Sequence, residues 1–413
     1  MKYYRKRRRW IALALVLILL AFAAGRAEVA RNSKNADSGS LLLEEAESMP
    51  GQPESENPSC QPESEEPGQE AGQAGNGGAE SGQPETVGPE TQPAQDYIKW
   101  VDFNVSSEAL ALAYDMDVDT YGTDSHIDWI SLLACTAARY GGEFGSQALV
   151  DLENTAQRLR SGQSALEEEA EGLSSYAYYK EAYEAVLGGM VGEFLLQEKD
   201  EEGNVVWRRK YGLKAFSPIA AAFPYSDSDD FGAARSYGYA RPHLGHDMLG
   251  QIGTPVIAVE SGYVEALGWN QYGGWRIGIR SFDHKRYYYY AHLRQNYPYA
   301  EGLEEGSVVT AGDVIGYMGH TGYSSEENVN NIKTVHLHWG LELIFDESQK
   351  ESDNEIWIDC YQLSRFLSGN RSAVEKVGDT REWRRVYGME DPAAEDAREQ
   401  TEQSSTEGAS WKG

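Results

Sequence analysis

Positive charge is scarce in this 413-residue sequence: 36 Lys and Arg stand against 66 Asp and Glu, a formal net charge of −30. Phosphate backbones are bound by basic patches, so the balance argues against a nucleic-acid partner. Cysteine is nearly absent. Cys60, Cys135 and Cys360 are an odd count with no metal-ligand spacing, so no disulfide framework is implied. Cys135 falls in an apolar helical run and reads as a small core residue, whereas Cys60 sits in a polar linker. No H-E-x-x-H pair occurs, which removes the helix-borne glutamate base used by one large group of metallopeptidases.

No Lys or Arg occurs between Lys34 and Lys99, and residues 26–96 are dominated by Glu, Gln, Pro, Gly and Ser. Such a stretch buries too little apolar surface to fold and reads as a disordered, self-repelling acidic stalk. Ahead of it, a basic segment over residues 1–9 precedes the uncharged run Trp10–Gly25. Basic before apolar predicts a cytoplasmic N-terminus with the remainder outside. The run of about 16 residues is shorter than the ~20 of a typical spanning helix. Residues 10–25 are therefore a transmembrane anchor or a signal segment, with small residues Ala23, Ala24 and Gly25 at its end. The long spacer favours the anchor, which predicts a single-pass cell-membrane protein with its C-terminal part extracytoplasmic, or a secreted one if the segment is cleaved.

From residue 97 the pattern turns helical. Ser107–Tyr114 makes an amphipathic turn or two. Asp124 or Ser125 caps a helix carrying Ile127, Ile130, Leu133 and Ala137, which stops at Gly141-Gly142. Gln147–Leu159 and Tyr176–Leu187 give two more, and Phe194–Lys199 with Val205–Tyr211 a hairpin, closing a helical region over 97–212. The tyrosines near 178 read as helix packing rather than a sugar-stacking platform. Residues 216–236, which hold Asp227, Asp229 and Asp230, read as a solvated loop. Short strands with glycine turns then follow through about 343, which predicts an antiparallel sheet or sandwich within 213–368. On Arg286–Leu293, Tyr288, Tyr290 and His292 are expected to share a face. Residues 369–413 read as a polar C-terminal tail, frayed from Glu390 onward.

The eight histidines are unevenly spread: all but His126 lie between Tyr239 and Trp339. If Pro242–Met248 runs extended, His243, Gly245 and Asp247 share one face and His246 points away. The same period of two puts His336 and His338 together. Two short strands can thus offer His243, Asp247 and His338 to one metal with His336 beside it. Three protein ligands and an open position are the pattern of a catalytic zinc site.

With Tyr290-Ala291-His292-Leu293 between them, Arg241-Pro242-His243-Leu244-Gly245-His246-Asp247 and Val335-His336-Leu337-His338-Trp339 resemble the lysostaphin-like (LytM-type) family of zinc metallopeptidases. Thr254–Ala258, Gly262-Tyr263-Val264 and Ala311–Gly322 extend the likeness. The resemblance implies His243, Asp247 and His338 as ligands of one Zn²⁺, and His292 and His336 as catalytic histidines. It further implies peptidoglycan as substrate, cell-wall assembly partners, and an α+β architecture in which a helical ectodomain region precedes a mainly antiparallel peptidase domain. The alternative is a scaffold or activator in cell-wall remodelling or sporulation, a role of relatives that usually lack one or more of the five residues. The stretch Ser324–Val335 is longer than the family's usual lead into H-L-H.

Overall fold

Capping side chains set where the helices begin. The computed structural model describes residues 98–410 apart from 238, 351 and 353. The basic segment 1–9, the anchor or signal 10–25 and the stalk 26–96 lie outside the described residues. Helix α1 (Ser107–Thr120) starts where Ser106 Oγ accepts the Ala109 N–H at 3.2 Å. In α2 (Trp129–Tyr140) the Asp128 carboxylate accepts from the Ser131 N–H at 2.8 Å. Asp128 caps instead of the expected Asp124 or Ser125 because the chain ahead of it is held extended. The Ile127 N–H donates to Thr120 Oγ1 at 3.0 Å, and the Trp129 N–H to Asp117 Oδ2 at 3.0 Å. Helix α2 ends at Gly141, where φ of 63° suits a residue without Cβ. Helices α3 (Ser146–Ser161), α4 (Leu166–Ala170) and α5 (Tyr176–Leu187) follow. Tyr183 is fully buried against Phe103, Phe144 and Tyr179 and packs helices as expected, whereas Tyr178 is exposed.

Strands β1 (Val191–Lys199) and β2 (Val205–Leu213) form the predicted hairpin. The strands beyond are β3 (Ser226–Asp227), β4 (Ala234–Tyr237), β5 (Tyr239–Pro242), β6 (His246–Leu249), β7 (Pro255–Ile257), β8 (Gly262–Asn270), β9 (Gly274–Ser281) and β10 (Arg286–Ala291). After them come β11 (Val308–Val309), β12 (Val314–Tyr317), β13 (His336–Leu343) and β14 (Ile356–Ile358). The C-terminal part holds α6 (Tyr361–Leu367), β15 (Val374–Lys376), β16 (Trp383–Arg385), β17 (Met389–Glu390) and α7 (Pro392–Ser410). The α+β architecture with antiparallel sheets is as the sequence implies. The main sheet runs β11-β8-β9-β10-β13-β6-β3, with β14 also on β13.

Strand β13 shows how this sheet divides its two faces. Leu337, Trp339, Leu341 and Leu343 are fully buried in the core, while His336, His338, Gly340 and Glu342 alternate with them on the other face. One apolar core runs from α1, α2 and α5 to this sheet. Arg286 ties the two layers together. Its guanidinium is forked onto Glu260 (Nε to Oε2 2.8 Å, Nη2 to Oε1 3.1 Å), and Nη1 donates to the Ala185 carbonyl near the end of α5 at 3.0 Å.

Three expectations change. Residues 216–236 contain β3 and β4, because β6 and β5 offer their edges as partners. The polar tail from residue 369 is built into the fold as far as it is described: Met389 pairs with Leu196 on β1 and is buried, and Asp391 accepts from Lys214 Nζ at 2.8 Å and Ser261 Oγ at 2.7 Å. Buried polar partners, which composition does not show, hold that segment. The single-pass membrane localisation is also corrected: among the described residues no helix is long and apolar enough to cross a membrane. The apolar α2 has 12 residues, about 18 Å at 1.5 Å per residue against a core of about 30 Å. The 19-residue α7 carries Glu395, Asp396, Arg398 and Glu399.

Glu169 joins three helices by accepting from Arg139 Nη2 at 2.6 Å and from Arg158 Nε at 2.7 Å. Hydrogen bonding to Arg158 foremost, with Ser164 and Arg139 adding to it against the opposing effect of burial, holds its carboxyl down at about 2. The folded value lies below the unfolded one, so the stabilisation is complete above the unfolded pKa of about 4.5 and is lost as pH falls through about 2. Glu169→Gln is expected to cost about 2 kcal/mol near neutral pH in urea unfolding, a gap that closes on acidification. A gap that stays constant between pH 6 and pH 2.5 would contradict this.

Candidate active site

Strands β6 and β13, with the segments before β6 and after β10, bring the predicted site residues into one groove of about 400 Å³. The register decides which side chains enter it. His338 on β13 pairs with Asp247 on β6 and with Ala291 on β10, so these three lie side by side on the groove face. His243 reaches the same place from outside a strand. The segment expected to run extended is broken between β5 and β6, and the His243 N–H donates to the Ala233 carbonyl at 2.9 Å. Its Nε2 nevertheless lies 3.0 Å from Asp247 Oδ1 and 3.0 Å from His338 Nδ1. His338 Nδ1 is also 3.0 Å from Asp247 Oδ1. The ligand-type atoms of His243, Asp247 and His338 all fall within 4.8 Å of one another.

Gly245 makes that convergence possible. A Cβ there would stand 2.6 Å from both Cε1 and Nε2 of His338 and 3.0 Å from the Trp339 carbonyl. His246 turns away as expected, buried with Nε2 3.0 Å from Asp227 Oδ2.

His292 enters by a different route. Strand β10 ends at Ala291, and His292 adopts φ of +61°. Few non-glycine residues occupy that region, and here two backbone bonds hold it: the His292 N–H donates to the Gly273 carbonyl at 2.7 Å, and its own carbonyl accepts from the Gly319 N–H at 3.0 Å. The kink breaks the alternation of the strand. Tyr288 and Tyr290, expected beside the site, are fully buried in the core, whereas Tyr287, Tyr289, Ala291 and His292 line the groove. Gly278 and Gly273 leave the space in which Tyr287 and Tyr289 lie, since a Cβ on either would meet a tyrosine hydroxyl.

The two non-cluster histidines are oriented alike. His292 Nδ1 is 2.9 Å from the Thr321 carbonyl and His336 Nδ1 is 2.9 Å from the Thr334 carbonyl. A carbonyl only accepts, so Nδ1 carries the proton in each and Nε2 is left with its lone pair. Their rings are 4.7 Å apart, and His336 Nε2 is 3.8 Å from Asp247 Oδ1. Burial, followed by the neighbouring His336 and His338, pushes His292 well below its ordinary value, which keeps it neutral. Burial likewise lowers His338. Burial also acts to lower His243, but hydrogen bonding and charge from Asp247, with Asp230 adding to them, leave it raised. Burial acts to raise Asp247, and the histidines around it overcome that and hold it ionised.

Some groove and supporting residues were not marked out by sequence reasoning. Asp230, expected in a solvated loop, has Oδ1 3.2 Å from His243 Nδ1 and pairs with Arg235. The hydrogen bond of His243 Nδ1 goes to the Asp230 backbone carbonyl at 3.3 Å, and a carbonyl behind an imidazole fixes its tautomer and directs Nε2 forward. Arg235 Nη2 also lies 3.3 Å from Asp247 Oδ2. Tyr323, at the head of the long Ser324–Val335 stretch, is an edge-on neighbour of His292 with ring centres 5.9 Å apart. Beyond Tyr323 that stretch folds aside, with Asn328 Oδ1 accepting from Trp275 Nε1 at 2.9 Å. The Asp-rich run 227–230 was a signal for Asp230. Nothing in the sequence marked Tyr323. The buried Cys135 and Cys360 lie outside the groove lining; burial pushes the Cys135 thiol up to about 11.

Residues 241–351 match the profile of peptidase family M23. The L-Ala–D-Glu endopeptidase of Bacillus subtilis is 39% identical over 130 residues, 32% of this chain and 38% of that protein. Lysostaphin of Staphylococcus simulans is 37% identical over 89 residues, 21% of this chain and 17% of its own length. The chain therefore spans well under half of either relative. Among solved structures, a lytM chain from Ruminococcus gnavus is similar over 68% of this chain and 92% of its own, with 24% identity and a TM-score of 0.40.

Gly245→Ala should push the His338 imidazole aside and cost about 1–3 kcal/mol of stability. The histidine ring proton shifts in NMR and a thermal melt check this. Unmoved His338 resonances would show that the close approach is not constraining.

Proposed function

We propose that this chain, whose residues 241–351 match the profile of peptidase family M23, is a zinc-dependent endopeptidase that hydrolyses peptide bonds of bacterial peptidoglycan, in the stem peptide or the cross-bridge. The reading assigns residues 213–368 as its peptidase domain and 97–212 as the helical region before it. The observation that carries it is the convergence of two imidazoles and a carboxylate on one point, with two further imidazoles beside them, at the floor of an open groove.

The donor set suits the metal. Zinc takes imidazole nitrogen and carboxylate oxygen, and three protein ligands leave a position open. His243 Nδ1 is held by the Asp230 backbone carbonyl, a support that metal-bound imidazoles commonly have. His243, Asp247 and His338 would hold one Zn²⁺, which supplies Lewis-acid polarisation of a peptide carbonyl and a nucleophilic water near neutral pH.

This chain's own groups do the rest. With Nδ1–H committed to a backbone carbonyl, His292 and His336 each present Nε2 as a proton acceptor. One would take the proton from the attacking water at Nε2 and return that same proton to the leaving amine; the other, in its form protonated at both nitrogens, would donate a hydrogen bond to the oxyanion as the carbonyl carbon becomes tetrahedral and keep its proton. Neither needs a glutamate base. The scaffold reading is less well supported, since all five residues are present and gathered in the groove.

Purified peptidoglycan treated with the zinc-loaded chain should release peptides with new termini, and chelator should abolish the release. His338→Ala should lose bound metal together with activity. His292→Ala and His336→Ala should retain the metal while turnover falls about 10²–10⁴-fold. A folded, zinc-loaded chain that releases nothing would favour the scaffold.

A further inference from the structure

Two groove arginines have no acidic partner among the described residues. Arg235 is committed to Asp230 and Asp247, and Lys350 to Glu265. Arg241 and Arg276 line the same groove, yet neither forms an ion pair with a described carboxylate. Both have a buried Nε without a hydrogen-bond partner there. A buried guanidinium nitrogen left without an acceptor costs free energy, and in a chain with 66 acidic residues its persistence needs a reason.

Surrounding rings preorganise Arg241. Arg241 donates from Nη2 to the Tyr323 hydroxyl at 2.9 Å and lies over the Tyr272 ring at 5.3 Å and the Tyr323 ring at 5.5 Å. That holds the fork at the wall next to His292, because Tyr323 is the ring beside His292. Arg276 stands on β9, on the groove floor, one residue before Ile277, the partner of Tyr290 on β10. Both therefore lie on the β9 and Tyr323 side of the reacting centre. A fixed, planar, always-charged fork matches a carboxylate through paired N–H donors. A cross-bridge built of glycine would offer it only neutral amides.

We infer that the groove selects a peptide bearing a free carboxylate close to the scissile bond, with Arg241 and Arg276 as the specificity-determining residues. The class this fits is a stem peptide whose γ-linked D-glutamate keeps its α-carboxylate, rather than its carboxamide form or a glycine bridge. The inference rests on the peptidase reading of the same site.

The test measures binding and cleavage of two peptides, L-Ala–γ-D-Glu–L-Lys with a free α-carboxylate on D-Glu and the same peptide as the α-carboxamide. The zinc-loaded full chain should cleave the acid at least about tenfold more efficiently in kcat/KM. The cleavage-disabled His336→Ala chain should show a similar ratio in Kd by calorimetry. Arg276→Gln and Arg241→Gln should each pull the ratio towards one, with Arg276→Lys recovering part of it if charge and not only shape is used. Equal handling of acid and amide by the parent chain, or binding of neither by a chain that digests peptidoglycan, overturns the carboxylate preference and leaves the peptidase reading standing. Failure on both peptides and on peptidoglycan by a folded, zinc-loaded chain overturns the peptidase reading itself.

Discussion

The buried ion pair between Arg286 and Glu260 is the constraint on which the arrangement of layers depends. Arg286 is 1% exposed, and its guanidinium is satisfied by Glu260, Asp283 and the Ala185 carbonyl. Removing one partner of such a pair leaves an uncompensated buried charge, a loss of about 3–5 kcal/mol. The geometry around it allows little slack. A Cβ on Gly189 would come within 2.6 Å of Glu260 Oε1, so the Gly188-Gly189 turn after α5 brings its backbone right against the pair. The Tyr288 hydroxyl donates to Glu260 Oε2 at 2.7 Å, which pins a second residue of β10, two positions on, as well. Helices, β10 and the segment before β8 are thus fixed to one another at a single point.

Fixing the start of β10 fixes the site at its other end. From Arg286 opposite Leu343, the antiparallel register runs without a bulge to Ala291 opposite His338. A slip of one residue would send His338 into the core and Trp339 into the groove. The packing of Tyr288 on Trp339, nearly parallel with ring centres 6.5 Å apart, opposes that slip. The left-handed backbone at His292 is then the one local departure from strand geometry at the end of β10, and it carries the histidine to the groove face.

This division explains what the sequence made legible. Period-two alternation in His336–Leu343 predicted the faces of β13, because one face is apolar without interruption. Helix α5 was predicted with its observed ends, since glycine follows its last turn. The same logic failed for Tyr288, Tyr290 and His292, because alternation assumes a strand that continues, and a φ of +61° at a histidine has no sequence signature. It failed again for Asp230 and for the C-terminal segment. The Asp230 side chain is held by Arg235 and that of Asp391 by Lys214 and Ser261, partners in another element, so local composition suggested solvent. The five site residues were recognisable because their spacing is tied to strand pairing. The groove wall was not, because Arg241, Tyr272 and Tyr323 meet only through the tertiary fold.

The charge of the molecule and the charge of the groove point in opposite directions, and distance decides between them. A net charge of −30 would repel an anionic polymer if it acted as a single field. At physiological ionic strength that field is screened over about 8 Å, so most of the acidic surface acts weakly at the groove floor. Within the groove, water is partly excluded, and the two guanidinium groups act at hydrogen-bond range, where the effective dielectric is lower and screening is weak. Glu342 and Glu355 stand in the same lining, with Lys350 beside them. Glu355 is engaged by the Trp357 indole at 2.8 Å. The groove is therefore polarised along its length, with positive charge that has no acidic partner among the described residues on the His292 and Tyr323 side. On the proposed peptidase reading, a peptide whose own charge is unevenly placed would bind in one direction, and direction would determine which peptide bond lies over His243, Asp247 and His338.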